Sequence, residues 1–210
     1  MGIVKDFANS VSKKNRERKF RTFCELFSPS EHTKICDLGP TECEIRESDN
    51  MLEKRYQYPE NITAIGIDKF SKFSERYPRV TAVTYDGRNI PFPDNHFDIL
   101  YCNAVIEHLG TDQLHFVEEA CRVANRVFMT TPNYWFPIEV HTNIPFAHYF
   151  GKRVFKIVTD MLGKSSDEVD GLALLSYEDI RRLLKRAGIS DYKIKRNRFL
   201  GFTMDFVIII

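Results

Sequence analysis

Three short β-like runs that each lead into an acid, with helical stretches between them, constrain this chain more than any other feature. They are Lys34-Ile35-Cys36 before Asp37, Ile62-Thr63-Ala64-Ile65-Gly66-Ile67 before Asp68, and Val80-Thr81-Ala82-Val83-Thr84-Tyr85 before Asp86. Strands that alternate with helices build a mostly parallel sheet covered on both faces. In such a sheet polar ligands lie outside the carboxyl ends of the strands, so acids there face a ligand edge rather than the core.

The remaining punctuation extends the pattern. Val11 to Phe27 carries Phe20, Phe23, Leu26 and Phe27 at helical spacing and predicts an amphipathic N-terminal helix. Its basic run Lys13 to Lys19 reads first as a solvated face, with phosphate or an acidic membrane surface as the alternative. Helices are expected over Arg46 to Tyr56, Lys69 to Tyr77 (stopped by Pro78), Thr111 to Ala124, Ala147 to Leu162 and Tyr177 to Ala187, the last capped by Ser176 and ended by Gly188. Strands are expected at Phe97 to Cys102, Arg126 to Thr130, Asp191 to Arg196 and Thr203 to Ile210. The expected fold is α/β: a three-layer, doubly wound, mostly parallel sheet of about seven strands, the last antiparallel, with helices on both faces. One domain over residues 1–210 is expected, with 1–30 as a helical extension and 132–175 as a lid or acceptor insertion.

Composition narrows the function classes. The chain has 210 residues, 43% hydrophobic, enough for one core, and its net charge of +1 calls for no nucleic-acid partner. Cys24, Cys36, Cys43, Cys102 and Cys121 form no CxxC pair and read as reduced thiols, with no metal site. No apolar run reaches the roughly 18 residues of a membrane span. A cytoplasmic location is expected, with peripheral membrane contact left open and the oligomeric state unread.

The order Asp37-Leu38-Gly39, Asp68, Asp86-Gly87 and Phe97-Asp98-Ile99-Leu100 resembles the class I, Rossmann-like S-adenosylmethionine-dependent methyltransferases. Ile90 to Asp98 followed by Val105-Ile106-Glu107-His108-Leu109 is similar in particular to the small-molecule enzymes related to ubiquinone and menaquinone methylation. The resemblance implies S-adenosylmethionine as cofactor and S-adenosylhomocysteine as product. It implies that Asp37, Gly39 and Pro40 form the turn beside the methionine end. Asp68, with Lys69 next to it, would hold the ribose hydroxyls, Asp86 and Gly87 the adenine, and Asn103 or Ala104 would offer a carbonyl near the cofactor's amino group. Each acid also has a structural reading as a helix cap.

Methyl transfer from a sulfonium needs little beyond positioning and removal of a proton. Pro132 to Phe150, rich in proline and aromatic residues, is a candidate lid or acceptor pocket. Its Pro-Asn…Glu-x-His stretch resembles one in bacterial methyltransferases of polysaccharide or lipid biosynthesis. His141 is the candidate general base, Glu139 its orienting group or an acceptor ligand, and His108 a third candidate on the acceptor side. If the segment is extended, Glu139 and His141 share a face; alternatively both tie the lid to the domain. The expected acceptor is a small molecule, through a hydroxyl of a sugar, lipid-linked or ring-containing metabolite. The family's Gly-x-Gly-x-Gly turn reads here Gly39-Pro40-Thr41-Glu42-Cys43, so the alternative is a non-catalytic binding or interaction module on the same fold.

Overall fold

The computed structural model describes residues 2–139, 142–163, 169 and 171–210, with side chains from residue 10 onward. Seven strands form one sheet: β1 (Ile35–Leu38), β2 (Ile62–Gly66), β3 (Thr81–Thr84), β4 (Phe97–Asn103), β5 (Ala124–Pro132), β6 (Lys193–Phe199) and β7 (Phe202–Ile209). Their order is β3-β2-β1-β4-β5-β7-β6. Pairings β1–β2, β1–β4 and β2–β3 are parallel, whereas β6–β7 is antiparallel. The α-helices are α1 (Gly2–Phe27), α2 (Met51–Arg55), α3 (Ser71–Arg76), α4 (Gln113–Val123), α5 (Lys152–Met161) and α6 (Tyr177–Arg186). This is the expected mostly parallel sheet, and its chain divides into two compact units: residues 1–102 with 120–128, and 103–119 with 129–210.

The first unit is organised by aromatic packing. Phe23 and Phe27 of α1 are buried, and Phe23 meets Tyr101 of β4 and Phe128 of β5 edge-on at 5.1 and 5.4 Å. Tyr101 and Phe128 stack at 5.3 Å, which joins neighbouring strands beneath the helix. The helical spacing of these phenylalanines is therefore a docking stripe, and such ring pairs add to the area they bury. The basic run on α1 is not simply solvated. Arg16 donates to the Asp49 carboxylate at 2.6 Å and to the Ser48 carbonyl at 3.1 Å, and Lys13 pairs with Glu47 at 2.8 Å. It clamps the loop before α2.

That loop corrects the expected helix over Arg46 to Tyr56, since only Met51–Arg55 is α-helical. Asp49 accepts from the backbone N–H groups of Ile45 and Arg46 at 3.0 and 2.8 Å, and Asn50 sits in the left-handed region at φ 48. Both features compete with helix continuation. Asp37 is likewise corrected: it lies inside β1, level with Ala64 and Tyr101, rather than beyond the strand's end.

In the second unit, the expected helix over Ala147 to Leu162 splits. A 3-10 turn (Ala147–Phe150) stops at Gly151, whose φ of 89 reorients the chain before α5 begins. Phe155 of α5 packs with Ile144, Ala147, Val169 and Leu172. Helix α6 starts on a reciprocal capping box, Ser176 with Asp179, as the Ser176 N-cap expectation required.

Candidate functional site

The carboxyl ends of β1, β2 and β3 are brought level by their register. Leu38 stands opposite Ile65, and Gly66 opposite Thr84. Just past the strands the Gly39 N–H donates to the Ile65 carbonyl at 2.8 Å, and the Tyr85 N–H to the Gly66 carbonyl at 2.9 Å. Thr84 Oγ1 donates to the Asp68 carbonyl at 2.6 Å. A Cβ on Gly87, whose φ is +79, would come within 3.2 Å of Ile67 Cγ2. The segments holding Gly39, Asp68 and Asp86-Gly87 thus lie side by side in the first unit.

Their carboxylates differ. Asp68 is exposed two residues past β2, beside exposed Lys69, and no described residue hydrogen-bonds its side chain. Asp86 is also exposed, but its Oδ1 accepts from the N–H groups of Arg88 and Asn89, both at 2.8 Å. Those backbone donors hold its carboxyl below the ordinary range. Asp86 therefore shapes its own turn through one oxygen and presents the other. Asp37 is buried and faces Glu53 of α2, also buried. Burial pushes the Asp37 carboxyl well up, and the acid opposite adds to the shift; burial raises Glu53 as well. Two contacting buried carboxyls cannot both ionise without large repulsion, so the pair holds a proton. Glu53 carried no motif in the sequence, because its pairing depends on the crossover that returns α2 over β1. Ile67 was also missed: it is 70% exposed between two strand ends, an apolar face on a polar edge.

The segment that replaces the glycine-rich turn is held by its own side chains. Asn50 Oδ1 accepts from the Thr41 N–H at 2.9 Å, and Asn50 Nδ2 donates to the Thr41 carbonyl at 2.9 Å. Glu42 caps α3 by accepting from the N–H groups of Lys72 and Phe73 at 2.7 and 3.1 Å. Glu44 pairs with Lys54 at 2.8 Å and Arg76 at 2.6 Å and accepts from the Tyr77 hydroxyl. Burial pulls Glu44 upward, but these partners outweigh it and leave its carboxyl below the ordinary range. Pro40 sits at the head of this network, half-buried next to exposed Gly39.

The other expected site residues belong to the second unit. Asn103 closes β4, and its Oδ1 accepts from Thr130 Oγ1 at 2.8 Å; Ala104 follows at φ 60 with its N–H on the Thr130 carbonyl at 3.0 Å. His108 is exposed in a 3-10 turn. Glu139 is buried and accepts from the Thr142 N–H at 2.7 Å and its Oγ1 at 2.8 Å. The Asn143 N–H returns to the Glu139 carbonyl at 2.7 Å. His141 lies outside the described residues. His148, not singled out from the sequence, is buried against Tyr134 and Tyr149; its Nε2 is 2.9 Å from the Tyr134 carbonyl, while its Nδ1 is buried with no hydrogen-bond partner among the described residues.

Residues 48–126 match the family model described as a methyltransferase domain. No curated protein matches the sequence of the chain. Among solved structures, the chain is similar to the CurJ carbon methyltransferase, with a TM-score of 0.58 and 14% identity over 96% of this chain and 53% of that one. It is similar to the N-terminal domain of EvdMO1 with S-adenosylhomocysteine bound, with a TM-score of 0.55 and 16% identity over 92% and 79%. A S-adenosylmethionine-dependent methyltransferase from Aquifex aeolicus gives 0.53 and 17% identity over 92% and 96%. Strand order and family match agree, and the chain has the fold of the class I S-adenosylmethionine-dependent methyltransferases.

Proposed function

We propose that the chain binds S-adenosylmethionine at the edge formed by β1, β2 and β3 and transfers its methyl group to a small-molecule acceptor. The observation that carries this reading is the exposed Asp68 carboxylate, unengaged among the described residues and flanked by the Gly39 and Gly87 turns. The donor set fits the cofactor. A carboxylate accepts from two vicinal ribose hydroxyls, Ile67 offers an apolar face to adenine, and acids at 37 and 53 favour a cationic methionine end. Nothing in this edge resembles a pyrophosphate cradle.

When bound, the cofactor would supply an activated methyl group on a sulfonium. The chain's own residues then hold and orient. Asp68 fixes the ribose, with Lys69 at its rim; Asp86 reads the adenine amino group through its uncommitted oxygen; Gly87 leaves room for the ring. Gly39 and Pro40 border the methionine end, and Asn103 or Ala104 supplies a carbonyl to its amino group. Glu139 orients His141 or binds the acceptor, and His141 takes the acceptor's proton, with His108 as the alternative base.

The acceptor is read as a hydroxyl of a sugar, lipid-linked or ring-containing metabolite. Support comes from the aromatic segment after β5, where Tyr134, Trp135 and Tyr149 lie within 6 Å of one another and Trp135 is 61% exposed. EvdMO1 has a structure solved in the presence of S-adenosylhomocysteine and D-fucose, which favours a sugar-sized acceptor. A non-catalytic module is the second reading, favoured by the loop network that replaces the glycines. Titration calorimetry with S-adenosylmethionine and S-adenosylhomocysteine tests the proposal: saturable binding of both is expected, and no heat at millimolar ligand overturns it.

A further inference from the structure

Helix α5 has two apolar faces, and the fold uses one. Phe155 is 3% exposed in the local core, and Thr159 is buried behind it. Phe150 precedes the helix across the Gly151 break, and Val154, Ile157 and Met161 follow at intervals of three and four residues, a stripe on the other side of α5. They are 72%, 41%, 58% and 81% exposed. Phe150 ends the 3-10 turn that also holds Tyr149, and Tyr149 contacts Phe146 and Trp135, themselves 53% and 61% exposed. Single exposed apolar residues are ordinary, whereas a continuous ridge of this extent marks a surface that meets a partner.

The charges beside the ridge choose that partner. Lys152, Arg153 and Lys156 lie along one flank of α5 and share it with Asp160, the single acid of the helix, which leaves the flank a net charge of +2. In a protein whose net charge is only +1, this is a local concentration of positive charge. Pairing with a second copy through the same face would set these cations against their own equivalents. Trp and Tyr at the end of the ridge are side chains that favour the boundary between apolar chains and water. An apolar stripe flanked by Lys and Arg is the composition of a helix lying in a bilayer interface. No described helix is long and apolar enough to cross a membrane.

We propose that the outward face of α5, with the aromatic ridge leading into it, docks on the surface of an anionic lipid bilayer. The inference is independent of whether methyl transfer occurs. Docking buries Phe150, Val154, Ile157 and Met161 among the acyl chains near the headgroups and brings the basic flank, Arg153 included, to the lipid phosphates.

Co-sedimentation of the full chain with vesicles tests it, comparing phosphatidylcholine alone with phosphatidylcholine containing phosphatidylglycerol. Binding is expected with the anionic vesicles, to weaken with added salt, and to be weaker on the neutral ones. Ile157→Asp, at an exposed position on the outward face, should abolish it. Arg153→Glu should weaken it by about fivefold or more, from the loss of one basic contact at the surface. Leu200→Asp, at the exposed β6–β7 turn, should leave it unchanged. Absence of binding to anionic vesicles, equal binding to neutral ones, or full binding by Ile157→Asp overturns the proposal. So does a concentration-dependent dimer in light scattering that Ile157→Asp abolishes, because the face would then serve a second copy.

Discussion

Asp37 of β1 and Glu53 of α2 turn two buried carboxyls toward one another, and no other side chain donates to either Glu53 oxygen among the described residues. Both are raised above their ordinary values of 3.8 and 4.5, so the folded protein keeps a proton that the unfolded chain has released. Stability from this pair is therefore greatest in acid and is lost as pH rises from those values through the raised folded ones. Glu53→Gln replaces the repulsion with an amide that can donate to Asp37. The variant should be more stable than the parent at neutral pH, by roughly 1 to 3 kcal/mol, and its stability should fall less steeply with rising pH. Urea unfolding at acid and neutral pH measures both; identical slopes would contradict the shared proton.

The loop before α2 depends on Asn50, which pairs with both backbone groups of Thr41 and with Glu44 Oε1 at 3.1 Å. Asn50→Ala leaves those groups unpaired and puts at φ 48 a residue that lacks asparagine's tolerance of the left-handed region. A loss of about 1 to 3 kcal/mol is expected in urea unfolding. Asn50→Gly should recover only the backbone part, and a variant as stable as the parent would show that the network does not hold the loop.

The alternation of strands and helices was legible because each element is specified locally. Phe23 and Phe27 announced their helix by spacing, and Ser176 its cap. The break at Gly151 was hidden inside a run whose apolar period continues on both sides of it. The edge acids were legible as residue types but not as environments. Asp68 and Asp86 stand just past their strands as expected, whereas Asp37 belongs within β1 because its backbone still pairs with both neighbours. Glu53, Asn50 and Glu44 could not be read as a unit, since each meets its partner only after the loop folds back. The missing glycines likewise signalled a changed turn without revealing the side chains that replace them.

The α6 cap gives a test with a defined pH signature. Ser176 Oγ donates to Asp179 Oδ2 at 2.6 Å and accepts from the Asp179 N–H at 3.2 Å. Burial pulls the Asp179 carboxyl upward, but its hydrogen bonds from Ser176 and Arg182 prevail and lower it. That contribution is present above the ordinary value of 3.8 and lost as pH falls through the lowered one. Ser176→Ala should lower stability by about 1 kcal/mol at neutral pH. The difference from the parent should narrow in acid; a gap that is constant with pH would separate the cap from Asp179 ionisation.

Ribose binding predicts the effect of removing one carboxylate. Asp68→Ala should weaken S-adenosylhomocysteine binding by about 1.5 to 3 kcal/mol for each charge-assisted bond lost. Because Asp68 is exposed, thermal unfolding without ligand should be nearly unchanged. Calorimetry paired with a melting curve distinguishes a lost contact from a lost fold, and unchanged affinity would refute the ribose role.

The most direct test of the account is a crystal structure of the full chain grown with S-adenosylhomocysteine. It should place both ribose hydroxyls within hydrogen-bond distance of the Asp68 carboxylate, with adenine beside Ile67 and Gly87. Ligand density elsewhere, or a ribose that does not touch Asp68, would contradict it.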